Sequence, residues 1–336
     1  MATNRVNNFI FSLKDRQEAA TASGMPVNKA PRNREADIDL FDPQALLKLG
    51  KLEVISQTVV DGMISGKHRS THKGGNAEFS HLRPYVPGDD IRALDWKQYA
   101  RSDRYYVRQY EDETNLQALL VVDASGSMRF GQASVSKWDY ARMAAACMAR
   151  LLMRQRDSVG LAVLAQQLNE FVRPLPRASH LARIMDTLGK ATAGGPSVLA
   201  DAVQPLIGRL TRRGMVMLFS DCFGDVEPLR QALQQYRIRG HEVIVFQTLA
   251  PEEQTFPFRR GGEFRDLESS RRLNIQPAEV RRQYLEKFNA FQAKLKASMS
   301  EAGIDLVTLS TDADLGDSLA HYLRKRAAMK MAGARV

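Results

Sequence analysis

Residues 119–128 read "LLVVDASGSM". Four branched apolar residues run into an aspartate, and two serines and a glycine fall within the next four positions. An uninterrupted apolar run marks a strand covered on both faces. A buried strand seldom ends in so many oxygen-bearing side chains and so little bulk. The reading of Asp123, Ser125 and Ser127 therefore decides both the fold and the place to look for function.

Outward from this stretch, strand and helix patterns alternate. "LQALLVVD" (116–123) is followed by a helical stretch, "SKWDYARMAAACMARLLMRQRD", and then by "SVGLAVLA", with "NEFVRPLP" as its hairpin partner. Helical "HLARIMDTLGKA" and "LADAVQPLIGRL" come next, the second with a kink expected at Pro205. "MVMLFSD" reads as a strand, "EPLRQALQQYRIRG" as a helix closed by Gly240, and "HEVIVFQTLA" as a strand. "FPFRRGGEFRDLESSRRLNIQP" reads as a small hairpin inserted near 254–277. A long helix closed by Gly303, the strand "IDLVTLSTD" and a last helix, "LGDSLAHYLRKRAA", complete the pattern. Such alternation predicts an α/β fold: a mostly parallel central sheet with helices on both faces.

The first 42 residues are polar and lack a periodic apolar face, which predicts a flexible segment. Order is expected to begin near "DPQALLKLGKLEVISQTVVDGMI", where Leu46, Leu47, Val54, Ile55, Val59 and Ile64 fall at helical spacing, broken at Gly50. The basic, glycine-bounded "GKHRSTHKGG" (66–75) reads as a loop, "YVPGDD" as a turn and "RYYVRQYE" as a strand. The expected organisation is a flexible segment over 1–42, a region of helix, basic loop and short strands over 43–115, the α/β domain over 116–328, and a basic tail over 329–336.

Composition narrows the function classes. An apolar fraction of 44% in 336 residues is enough for a sizeable core. Only two cysteines are present, Cys147 and Cys222, and neither sits in a CxxC pair, which argues against a disulfide framework or a zinc site. The formal net charge of +10 suits an anionic partner, but the charges are spread as on an ordinary solvated surface. No apolar stretch approaches the roughly 18–20 residues of a membrane span. Phe9, Ile10 and Phe11 form too short a cluster for a signal-peptide core. A cytoplasmic location is expected.

In an open α/β sheet, ligands bind outside the carboxyl ends of the strands. Three polar clusters are predicted there. The first strand ends in Asp123, Ser125 and Ser127; "MVMLFSD" ends in Ser220 and Asp221; "AGGPSVLADAV" sets Ser197 in a glycine-rich loop that opens a helix. All their donor atoms are oxygens, which suits a hard divalent cation such as magnesium. Ser125 and Ser127 lie two apart in a tight turn, so their hydroxyls can face one point, and Gly126 lets that turn close without a Cβ. Serine and aspartate also cap helices. The metal reading is preferred for Asp123, Ser125, Ser127 and Asp221 because the clusters fall at strand ends that one sheet brings together.

At this point the sequence resembles a family. DxSxS after the first strand, a hydroxyl after Gly-Gly and an aspartate after a later strand look like the metal-ion-dependent adhesion site (MIDAS) of von Willebrand factor type A domains. The closer resemblance is to bacterial domain-of-unknown-function family 58 (DUF58). It is carried by "SGKHRSTHKGGNAEFSHLRPYVPGDDIRALDWKQYARSDRYYVRQYEDE", "LLVVDASGSM", "GHEVIVFQTLAPEE" and "GIDLVTLSTD", and it covers about residues 50–327. The resemblance implies a von Willebrand factor A (Rossmann-like) sheet with one antiparallel edge strand and magnesium or manganese at its top. Ser125, Ser127 and Ser197 would be direct ligands, and Asp123 and Asp221 would act directly or through water. It also implies association with a MoxR-type AAA+ ATPase in the assembly or activation of other proteins, the partner completing the metal shell with an acidic residue. Where the family has "GGTD" this chain reads "GGPSV", so Pro196 and Val198 alter the loop that carries the third ligand.

The expected function is thus a non-enzymatic, metal-dependent protein-interaction module. Two other classes stay open, a metal-dependent hydrolase and a basic nucleic-acid-binding protein. The hydrolase reading has His180, His241 and His321 available, but Ser125 lacks both flanking glycines of a nucleophile elbow. The nucleic-acid reading has the 66–75 loop, without any accompanying recognition motif. Asp89, Asp90 and Asp95 form an acidic group that turn and cap roles account for.

Overall fold

The computed structural model describes residues 11–12, 42–67, 82–85, 96–102, 104–108, 116–131, 135–196, 198–268 and 271–333. The chain divides into two units: Met1–Ser65 together with Leu116–Val336, and Gly66–Asn115. Of the expected 66–75 loop, Gly66 and Lys67 are helical, and residues 68–75 lie outside the described residues, as do Asp89, Asp90 and Asp95 and most of the 1–42 segment.

The larger unit opens with β1 (Phe11–Ser12), α1 (Pro43–Lys48) and α2 (Leu52–Lys67), the last running two residues past the unit's boundary. The expected boundary at 43–115 differs here, because both helices belong with the α/β domain. Leu46, Leu52, Ile55, Val59 and Val60 are buried in the same apolar cluster as the helix that follows the first long strand. Arg150 on that helix donates to Ser56 Oγ and to the Glu53 carbonyl. The helical spacing was legible, but not the surface it covers. The smaller unit contains β2 (Leu82–Pro84), α3 (Trp96–Ser102) and β3 (Tyr106–Arg108). β2 and β3 pair antiparallel, and Tyr99 stacks on Tyr105 with ring centroids 4.5 Å apart.

The α/β domain then runs β4 (Gln117–Asp123), α4 (Lys137–Arg154), β5 (Ser158–Leu164), β6 (Leu168–Leu175), α5 (Ala178–Lys190), α6 (Leu199–Val203), β7 (Gly214–Ser220), α7 (Val226–Ile238), β8 (Glu242–Leu249), α8 (Pro251–Thr255), β9 (Gly262–Asp266), β10 (Arg272–Ile275), α9 (Pro277–Glu301), β11 (Asp305–Ser310) and α10 (Leu315–Gly333). The six-stranded sheet has the order β11-β8-β7-β4-β5-β6. Every pairing is parallel except β5–β6, so β6 is the antiparallel edge strand. β9 and β10 form the expected hairpin insertion, and β1 adds an antiparallel strand to the outer side of β9. The helix expected over 199–210 is instead α6 followed by a 3-10 turn at Gln204–Arg209. Pro205 lacks the N–H that a continuous α-helix needs there.

The strand residues divide between two cores by their two-residue period. Leu120, Val122, Met217, Phe219, Ile244 and Phe246 face α4 and its neighbours. Leu119, Val121, Val216, Leu218, Val243 and Val245 face α6, α7 and α9. β4 is thus buried on both sides at the centre of the sheet, and its carboxyl end opens onto the polar cluster that follows. Among the described residues, no helix is long and apolar enough to cross a membrane.

Candidate functional site

Asp123 is the last residue of β4, and the chain turns sharply after it. Asp123 Oδ1 accepts from the Ser125 amide at 2.9 Å, which folds the turn back on the carboxylate. The Ser125 and Ser127 hydroxyl oxygens lie 2.9 Å apart, so both point to one spot. One turn of 3-10 helix, Gly126–Arg129, completes the loop. Asp123 Oδ2 accepts from Ser220 Oγ at 2.6 Å, joining the ends of β4 and β7.

Asp221 follows β7. Its Oδ1 accepts from the Phe223 amide at 3.0 Å and its Oδ2 from Lys137 Nζ at 2.7 Å. The intervening Cys222 has a left-handed backbone (φ 58°), a costly conformation for a residue with a Cβ. Ser220 Oγ holds it there by accepting the Cys222 amide at 2.9 Å. Strain of this kind gathers at sites where geometry matters more than local stability.

The glycine-rich loop after α5 lies against the same turn. Gly194 donates to the Ala124 carbonyl and Gly126 donates to the Gly195 carbonyl, each at 2.8 Å. Ser197 itself lies outside the described residues. The structure therefore brings together Asp123, Ser125, Ser127 and Asp221 at the carboxyl ends of β4 and β7, and seats the loop that carries Ser197 beside them.

Sequence reasoning missed two members of the cluster. Lys137 begins α4 and is fully buried, with Nζ 2.7 Å from Asp221 and 2.6 Å from Glu253 Oε1. Glu253 on α8 uses its other oxygen to accept the Ala250 amide. A lysine in the first turn opposes the helix dipole. That oddity, at the head of the helix, was the signal available in "SKWDY". The ammonium also lies over the Phe223 ring, 4.9 Å from its centroid.

Burial dominates the electrostatics. It combines with the neighbouring Asp221 charge to push the Asp123 carboxyl up to about 6. It likewise holds Glu253 above the usual carboxylate range. Burial alone would discharge Lys137, but Asp221 and Glu253 outweigh it and raise its pKa. When all four groups are ionised, three acids face one base, and two negative charges remain without a counter-charge in the cluster. Among the described residues no group of three or more His, Cys, Asp or Glu side chains is placed to hold a metal. An ion here would depend on the serine hydroxyls. Their convergence, together with the charge deficit, fits one divalent cation.

Neither His180 nor His241 joins the site. His241 precedes β8 and its Nδ1 accepts from Gly214 N, at the amino end of the sheet. His180 is buried near the start of β5 and in the same end region.

Fold and site together define an α/β domain with a mostly parallel six-stranded sheet and a polar cluster at the carboxyl ends of its central strands. The family model described as "Protein of unknown function DUF58" matches residues 81–294, and the chain belongs to that family. It is 30% identical over 300 residues to the uncharacterized protein Rv1480 of Mycobacterium tuberculosis and to the uncharacterized protein Mb1516 of Mycobacterium bovis; the match covers 88% of this chain and 94% of either relative. Solved structures with a similar arrangement include BatB from Bacteroides thetaiotaomicron (14% identity, TM-score 0.42, covering 63% of this chain and 99% of BatB). The SpRpn10 VWA domain is another (12% identity, TM-score 0.36, covering 61% of this chain and 94% of that domain).

Proposed function

We propose that the chain is a non-enzymatic protein-interaction module whose recognition site is completed by magnesium or manganese. One observation carries this reading: two serine hydroxyls converge beside a buried group of three carboxylates, Asp123, Asp221 and Glu253, that contains a single lysine. Ser125 and Ser127 would hold the ion, Asp123 and Asp221 would face it directly or through water, and the 194–197 loop would add Ser197. A bound ion would supply positive charge for an acidic side chain of a partner. Neutral hydroxyl ligands leave most of that charge available, and a charge-assisted contact is stronger than a neutral one. The partner we propose is a MoxR-type AAA+ ATPase, for which the chain would act as adaptor or co-chaperone. This part rests on the family resemblance of the sequence. The hydrolase reading gains no support, since His180 and His241 sit at the amino end of the sheet, away from Ser125.

Calorimetry with magnesium and manganese is the direct test. Wild-type protein is expected to bind one ion and Ser125→Ala to lose that binding, while both unfold at similar denaturant concentrations. Equal affinity in the two proteins would refute the assignment. For the partner, association with a MoxR-type ATPase from the same genome is expected to need the ion, to fall with chelator and to weaken in Asp123→Ala. Affinity that ignores both chelator and mutation would move the docking site elsewhere.

A further inference from the structure

An adhesion-type site must be reached by its partner, yet this one is closed. Ser125 is 0% exposed, Ser127 and Asp123 are 2% exposed, and Asp221 is 1% exposed. The sheet and its helices lie below and beside these residues, so something else lies over them. At Gly126, midway between the two serines, a Cβ would stand 2.3 Å from the Leu267 carbonyl oxygen and 3.0 Å from that of Gly195. Leu267 immediately follows β9, at the turn of the hairpin insertion. The hairpin's backbone thus rests on the metal-binding turn at a distance only glycine permits.

The hairpin is built to hold that position. Phe264 on β9 is fully buried and packs edge-on to Phe258, with centroids 5.5 Å apart. Beyond it, Phe256 meets Tyr284, Tyr284 meets Phe288, and Phe288 meets Phe223, with centroids 4.7, 6.0 and 6.3 Å apart. Phe223 donates its amide to Asp221 and carries the Lys137 ammonium over its ring. One aromatic chain therefore links the hairpin to the carboxylate at the site. The exposed half of the insertion is weakly held by contrast. β10 has three exposed residues of four and, among the described residues, pairs only with β9. An element with few buried apolar contacts opens locally at far lower cost than the sheet.

We infer that the β9–β10 hairpin is an internal cover of the Ser125–Ser127 turn, which an acidic segment of a partner protein displaces when it docks. The inference rests on the interaction-site reading above. It makes recognition a competition: the partner's contacts with the turn replace those of the Leu267 backbone, and the anchor at Phe264 keeps the displaced hairpin attached.

The test reads access to the turn without metal or partner. Asp266 N donates to the Arg271 carbonyl at 3.0 Å, so this pair closes the ladder. Replacing residues 267–270 with Asn-Gly, a two-residue hairpin turn, keeps β9 and β10 and removes the Leu267 carbonyl. Ser125→Cys is introduced into this variant and into the otherwise unaltered chain. Maleimide labelling in chelator is then followed by peptide mapping, with buried Cys147 and Cys222 as internal references. The thiol introduced at position 125 is expected to react slowly under the intact hairpin and at least about tenfold faster once the turn is shortened. Fast labelling under the intact hairpin, or equal slow labelling in both proteins, would overturn the cover. Should the Ser125→Cys variants not fold, hydrogen exchange at the 124–130 amides, with and without the shortened turn, gives the same decision. The two ideas fail separately. A chain that labels as expected but binds no ion in calorimetry keeps the cover and loses the metal reading.

Discussion

Lys137→Met is expected to lower the unfolding free energy by about 3–5 kcal/mol, the range for removing one partner from a buried ion pair. Methionine fills much of the same space, so little of the loss would come from packing. The cost arises because Asp221 and Glu253, 1% and 4% exposed, would lose the cation they share. Buried carboxylates without a counter-charge either ionise at high cost or take up protons. Adding Glu253→Gln removes one of the stranded charges while keeping an acceptor for the Ala250 amide. The double variant should therefore be more stable than Lys137→Met alone, by roughly 1–3 kcal/mol. Urea unfolding of the four proteins of this cycle measures the coupling. A single variant within about 0.5 kcal/mol of wild type would show that the triad does not hold the loop after β7 to α8.

The second large effect is on pH dependence. In the ion-free protein the Asp123 pKa stands at about 6, against 3.8 for the free side chain, because of burial first and Asp221 second. The folded state then binds more protons than the unfolded state between these values, so stability falls as pH rises from about 4 to about 6. The shift is worth about 3 kcal/mol at neutral pH. Glu253, raised by burial, adds a slope of the same sign. Lys137 does not act in this window, since its raised pKa matters only above the usual lysine range. Comparison with Asp123→Asn isolates the effect, because the amide keeps the shape and cannot titrate. In chelator, wild type should lose about 3 kcal/mol relative to this variant between pH 4 and pH 7. Saturating magnesium should remove most of that difference, since a cation favours the ionised carboxylate. Parallel pH profiles in chelator would show that Asp123 is not the strained acid.

Much of the architecture was legible along the chain. The continuous apolar runs of β4, β7 and β8 marked strands buried on both faces, and "NEFVRPLP" was identifiable as an antiparallel partner of β5. Gly240 ends its helix with a positive φ of 83°, as its place in the sequence implied. Short-range preferences govern all of these. The break at Pro205 was legible too, although the sequence showed a kink where the chain forms two separate turns of helix. The extent of the α/β domain was not legible. Leu46, Ile55 and Val59 announce an apolar face, but an apolar face is non-directional and does not name the surface that covers it.

The site divides along the same line. The sequence alone determined which oxygens cluster at which strand ends. A parallel sheet places the carboxyl ends of its strands side by side; Asp123 ends one such strand, Ser125 and Ser127 follow it, and Asp221 follows another. Tertiary structure alone decided the charge of that cluster and its exposure. Lys137 and Glu253 are separated by 116 residues and meet only because α4 and α8 both begin beyond the carboxyl ends of the sheet's strands. Leu267 reaches Gly126 only because Phe264 is drawn into an aromatic core assembled from α8, α9 and the hairpin. Coulomb interactions and close packing act through space, and the sequence distance between these partners carries no trace of them.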